Sequence, residues 1–331
     1  MGENPVFGSL KDRIKTLAAL LKWLVQAWIV FIPCVEIVHS QDLHPRAYVW
    51  LPIKTNTIVA GYAYSHGSVV TDPTLPIENL EAIVHTASFG YVHSFDLFGL
   101  TSQAMVAVPY SWAVASGLVV GQSESITRSG LADSRLRLTT LVYGGPAMDL
   151  EEYKKTKKKK TLVGVSMNIA APTGEFFSDK LINIGTHRWS FKPEVALSQA
   201  LGSRWLIDAY AGVWFFTTNN SFYPGSSTRS QEPMGAFQAH ISYNITPRLW
   251  VAYNTTYYTG GKSSVDGYYN DDRQNNTRIG LTAVMPVGRS NSVKLAVSTG
   301  ALVRIGQDFT TFSLGWQHSW FGKNAGASKP R

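Results

Sequence analysis

The stretch RWLIDAYAGVWFF, Arg204–Phe216, sets an arginine and an aspartate among tryptophans, phenylalanines and aliphatics. Taken every second residue, it separates into two sets. Trp205, Ile207, Ala209, Ala211, Val213 and Phe215 are apolar throughout, whereas Arg204, Leu206, Asp208, Tyr210, Gly212, Trp214 and Phe216 are mixed. A period of two marks a β-strand whose two faces meet different surroundings. The apolar set opens and closes on rings. A strand rising about 3.3 Å per residue and tilted by about 45° carries those rings roughly 23 Å apart along a membrane normal. The lipid-facing band of an outer-membrane barrel is about 25 Å tall between its aromatic girdles.

The same test along the chain predicts about twelve strands, near 56–66, 81–95, 102–111, 132–145, 160–171, 187–200, 204–218, 233–246, 248–259, 275–288, 292–304 and 309–321. In the later strands one parity stays apolar, as in Ile279, Leu281, Ala283, Met285 and Val287, while the other carries Arg278, Gln238, His240 and Lys294. The polar parity is rich in small residues and thin in charge, as a barrel lumen is and a solvated sandwich face is not. Short links at 202–203, 246–248 and 288–292 alternate with long ones at 219–232 and 260–274, which are rich in Asn, Ser, Gly and Asp. Short periplasmic turns and long external loops are the outer-membrane pattern. Two links strain it: 304–308 is short where a long loop is expected, and 146–159 is long where a turn is expected.

Composition agrees. Of 331 residues only 16% are charged and 12% are aromatic. After residue 40 no run of eighteen apolar residues offers a membrane helix, and an alternating barrel dilutes its hydrophobicity in this way. Lys11, Arg13, Lys15 and Lys22, the apolar run Trp23–Val35, and Val38 and Ser40 before Gln41 make a secretory signal. Cys34 is the only cysteine and falls inside that signal, so neither disulfides nor thiolate metal sites are expected. The lysine run 154–160 lacks interleaved aromatics and reads as a solvated turn. Contact with anionic headgroups suits it better than nucleic acid.

The expected organisation is thus all-β: a transmembrane antiparallel β-barrel over 56–321 in the outer membrane of a Gram-negative bacterium. A signal peptide (1–40) and a periplasmic segment (41–55) precede it, and a tail (322–331) follows. Three landmarks add a resemblance. SGLADSRLRL (Ser129–Leu138) puts Gly-Leu-x-Asp at the head of a strand. VGVSMNIAAPTGEF (Val163–Phe176) ends one on Pro-Thr-Gly. NIGTHRWSFKPEVALSQAL (Asn183–Leu201) spaces Asn, Gly, Trp and Pro along the next. Together these resemble the family named for the MetA-pathway of phenol degradation, over about residues 50–321. The resemblance implies an outer-membrane barrel for passive uptake of small hydrophobic or aromatic molecules, and it carries no binding residues to transfer. Phe312, Leu314, Trp316 and Trp320 share one parity, as in last strands read by the barrel-assembly machinery, although GKNAGASKPR follows Phe321.

Enzyme signatures are mostly missing: there is no HExxH, CxxC, P-loop or G-x-S-x-G, and no cofactor or metal is expected. One constellation offers an alternative. His240 and Ser242 share the polar face of their strand, and a turn near Pro247 sets Asn254 almost opposite His240. Ser, His and Asn so placed form either a hydrolase triad, as in the outer-membrane phospholipase, or a set of mutually bonded lumen residues. A purely structural barrel is the third reading. By parity Arg135, Arg137, Arg188, Lys192, Arg204, Arg278, Lys294 and Arg304 point inward, with Tyr210, against Asp133, Glu194 and Asp208. Such a surplus either selects anions or pairs across the barrel and plugs it. The expected partners are membrane lipid, a small-molecule solute and the assembly machinery, without nucleic acid.

Overall fold

The computed structural model describes residues 43–70, 77–119, 121–157, 159–223 and 225–322; the expected signal peptide and all but the first residue of the tail lie outside them. Alternating runs form β1 (Thr55–Val70), β2 (Ile77–Leu97), β3 (Leu100–Val119), β4 (Gln122–Leu131), β5 (Ser134–Tyr143), β6 (Thr161–Ala171), β7 (Ser190–Leu201) and β8 (Trp205–Phe216). Beyond them lie β11 (Met234–Asn244), β12 (Trp250–Gly260), β15 (Gln274–Val287), β16 (Asn291–Leu302) and β17 (Gly306–Phe321). Each pairs antiparallel with its neighbours, and β17 returns to β1 from Thr55↔Phe321 to Val70↔Gly306. Closure leaves no free edge there, which a lipid-facing sheet requires because no water is present to satisfy its backbone. With β4 and β5 counted as one interrupted strand, this is a barrel of twelve strands.

The faces fall as the alternation predicts. On β8, Trp205 and Phe215 are 48% and 46% exposed, whereas Asp208, Tyr210 and Trp214 are 0%, 3% and 5% exposed. Trp205 adjoins the short β7–β8 turn, and Phe215 stands at the other end of the strand, so the rings mark opposite rims. Outward Phe237, Ile241, Tyr253, Leu281 and Leu314 continue the apolar band.

The interruption between β4 and β5 has a local cause. Ala107 pairs with Arg135 and Tyr110 with Leu131, so residues 132–134 stand opposite only 108–109. Pro109 has no N–H to give the ladder, and a bulge there costs less than in an unbroken pair. Its carbonyl still accepts from Ala132 N at 2.9 Å. Above the bulge β4 pairs with β3 alone, and the β6–β7 connection (172–189) meets its lower end through Glu175 N to Leu131 O at 2.8 Å.

The long links are more ordered than expected. Residues 217–233 and 261–273 hold β9 (Asn219–Phe222), β10 (Ser227–Gln231), β13 (Ser263–Val265) and β14 (Tyr268–Tyr269), a separate sheet in the order β14-β13-β10-β9 over the external rim. The anomalous 146–159 link carries α1 (Leu150–Lys155), whose N-cap Asp149 accepts from Glu151 N and Glu152 N. Its length is explained by what it covers: Met148 O accepts from Ile53 N, and Tyr153 packs edge-on against Trp50 at 4.8 Å. Within the lysine run, Lys154 pairs with Glu151 at 2.8 Å.

Candidate functional site

Residues 43–54, part of the 41–55 segment expected as periplasmic, run through the lumen. No ladder holds this thread; side chains of distant strands do. At its start Leu43 lies against the backbone of β15, so close that a Cβ on Gly280 would sit 3.3 Å from Leu43 Cδ1. Arg46 N donates to Asp208 at 3.2 Å, its guanidinium donates to Asn244 at 2.8 Å and stacks 4.2 Å over Trp250. Ala47 N donates to the Tyr210 hydroxyl at 3.2 Å, and Trp50 Nε1 to Pro146 O at 2.8 Å. Tyr48 is 1% exposed and lies flush on β6 where Gly164 leaves room; a Cβ there would stand 2.4 Å from its ring.

The thread is seated on a polar hub. Glu194, on β7, meets Lys192 Nζ at 2.8 Å, Arg137 Nη2 at 3.3 Å, Tyr48 Oη at 2.8 Å and Gln238 Nε2 at 3.1 Å. The Tyr48 phenol donates to the carboxylate. Two cations on one carboxylate, with further donors, satisfy a charge that would otherwise be costly to hold out of water.

The external half of the lumen is filled differently. The 172–189 connection folds inward and places Ile184 in a buried cluster with Val69, Leu80, Ala82, Val84, Ala113, Ala115, Ala132 and Phe309. Its anchor is Asp133, at the bulge, which accepts from Gly174 N at 3.0 Å, Thr186 N at 3.0 Å and Thr186 Oγ1 at 2.5 Å. Gly174 and Gly185 leave no room for side chains: a Cβ on Gly174 would stand 2.6 Å from Gly185 Cα, and one on Gly185 2.5 Å from the Gly174 carbonyl carbon.

The sequence-expected lumen residues divide accordingly. Arg137, Lys192, Tyr210, Arg278 and Lys294 lie on inward parities, and Arg135 stands 6.0 Å from the ring of Trp214. Arg188, just before β7, is 2% exposed, donates to Gln231 at 2.5 Å and packs 4.4 Å over Phe216. Arg278 donates to Phe309 O at 2.7 Å. Two residues correct the list. Arg204 is exposed in the β7–β8 turn and donates to the outward Tyr243 at 2.8 Å, because the alternation that aims β8 begins only at Trp205. Arg304 lies in the external 303–305 loop, bonded to Asp271 at 2.7 Å. Parity was carried past the strand ends in both.

His240 and Asn254 are register partners, with Nδ1···Oδ1 at 2.9 Å, and Asn254 Nδ2 donates to Thr282 at 3.0 Å. Among the described residues Ser242 Oγ and His240 Nε2 have no hydrogen-bond partner, so the Ser–His contact that would activate a nucleophile is not made there. Sequence reasoning missed Tyr48, Trp50 and the anchoring role of Asp133. The alternation of Arg46, Tyr48 and Trp50 just before the first strand is the signal that would have found the thread.

Comparison with known proteins agrees with this architecture. No curated protein matches the chain. An outer membrane channel from Pseudomonas putida F1 superposes with a TM-score of 0.73 at 20% identity, over 84% of this chain and all of that one. The transport unit of the autotransporter AIDA-I from Escherichia coli gives 0.49 at 9% identity, covering 91% of this chain and 97% of that one. A family model matches residues 63–304, most of the barrel. The chain therefore belongs to the family of the MetA-pathway of phenol degradation, as an outer-membrane β-barrel.

Proposed function

We propose that the protein is a channel admitting small hydrophobic, chiefly aromatic molecules across the outer membrane. The observation that carries this reading is the apolar filling of the external half of the lumen, where inward Val69, Leu80, Val84 and Phe309 meet Ile184. A pore for hydrophilic solutes lines its passage with polar and charged groups; here the filling of the external half, beneath the external sheet, is apolar. The family's association with phenol degradation supports the same class of solute. The outward Phe312, Leu314, Trp316 and Trp320 of β17 support recognition by the assembly machinery.

The test is uptake by cells of a Gram-negative host, with and without the protein, at low external solute. A labelled neutral monoaromatic should enter several-fold faster with the protein, while a sugar of equal mass should not. Equal acceleration of the sugar, or none of the aromatic, overturns the proposal.

A further inference from the structure

The cations expected to crowd the lumen are mostly engaged. Arg137 and Lys192 share Glu194, Arg188 donates to Gln231, Arg278 donates to Phe309 O, and Arg304 pairs outside with Asp271. Lys294 differs. It is inward on β16, and among the described residues no hydrogen bond or ion pair engages its ammonium. It lines a cavity of about 190 Å³ between the start of the thread and the β1–β2 and β15–β17 walls. No Asp or Glu lines that cavity. Ser298 does line it, is 7% exposed, and among the described residues its Oγ has no partner. Asn254, which also lines it, is already bonded to His240 and Thr282.

A partly buried ammonium without a counter-charge carries a desolvation cost, and the cost falls when an anion binds beside it. Lys294 is the one lysine or arginine in that lining, which suits an anion of a single charge. His44 and several hydroxyls share the lining, while Leu43, Ala63, Ala296 and Gly315 leave width for a flat body. A cavity of about 150 Å³ suffices for one benzene ring, so this one accommodates a ring with a single carboxylate. We propose that Lys294 and Ser298 form an anion subsite for small aromatic monocarboxylates, a way-station midway through the lumen. This deepens the channel reading and rests on it.

The probe is sodium benzoate titrated calorimetrically into the purified full chain in non-ionic detergent, with benzylamine and benzyl alcohol as controls. Saturable benzoate binding is expected, and none for the amine or the alcohol. Lys294→Met should weaken it by about tenfold or more, the scale of one lost charge-assisted hydrogen bond; Lys294→Arg should restore it, and Ser298→Ala should weaken it less. Unchanged affinity in Lys294→Met, equal binding of benzyl alcohol, or equal competition by chloride each overturns the subsite. Should Lys294→Met fail to insert, the wild-type series of benzoate, alcohol, amine and chloride decides alone. Wild-type uptake of benzyl alcohol by cells tests the channel separately: its acceleration together with absent benzoate binding removes the subsite and keeps the channel.

Discussion

Near the middle of the lumen a buried carboxylate, Glu194, is answered by four side chains: Lys192 on its own strand, Arg137 on β5, Gln238 on β11 and Tyr48 on the thread. In the external half another, Asp133, is answered by the backbone and hydroxyl of one nearby loop. Both hold a plug in place, yet they distribute the work differently. Glu194 ties strands to one another as well as to the thread, so its loss is felt by the wall. Asp133 ties a loop to a bulge, and apolar contacts of Ile184 back it up.

The largest effect should come from Glu194→Ala. It strands Lys192 and Arg137 in the lumen, and removing one side of a buried pair costs about 3–5 kcal/mol. Urea unfolding in detergent should show it, together with larger ion conductance as Tyr48 loses its acceptor. A loss below that of Asp133→Ala would break the comparison. Asp133→Ala itself leaves buried N–H groups without an acceptor, worth about 1–3 kcal/mol. Proteolysis should then cut within 172–189 while the thread stays protected; cleavage near residue 46 instead would mean that the plugs are one unit. Tyr48→Phe removes only the phenol's bonds to Glu194 and Ser166, about 1 kcal/mol, and should raise conductance with little change in unfolding. Ser242→Ala deletes a buried hydroxyl that bonds to nothing, so stability should hold within a few tenths of a kcal/mol. If the variant loses a measurable esterase activity of the wild type, Ser242 has a chemical role that the geometry does not give it.

The wall was legible because lipid and lumen impose a period of two, and Arg204–Phe216 carries it without interruption. What lay outside that period was not. The thread has no ladder, and its partners stand far away in sequence. β4 was missed because QSESITRSGL is polar on both faces. The strands of the external sheet are too short to show alternation, β14 being only two residues. Parity also names a face without measuring its room. Gly212 is inward as expected, but a Cβ there would lie 2.9 Å from Pro193 O and 3.1 Å from Lys192 Cγ, so this lumen position tolerates nothing larger. The expected list of inward cations fails at Arg204 and Arg304, whose residues belong to a turn and a loop.

The thread has a further consequence, in the order of events during biogenesis. Arg46 meets Asn244 across 198 residues of sequence, and Leu43 rests against Gly280. Contacts of such separation form late, because a long loop must close before they repay its entropy. The part of this chain synthesised before the first strand is therefore among the last to find its place, after β15 has joined the wall. A copy whose wall closes before the thread settles would hold an empty periplasmic half, a wider conduit than the finished protein. The speed with which residues 43–54 settle then sets how long a cell making this barrel leaks.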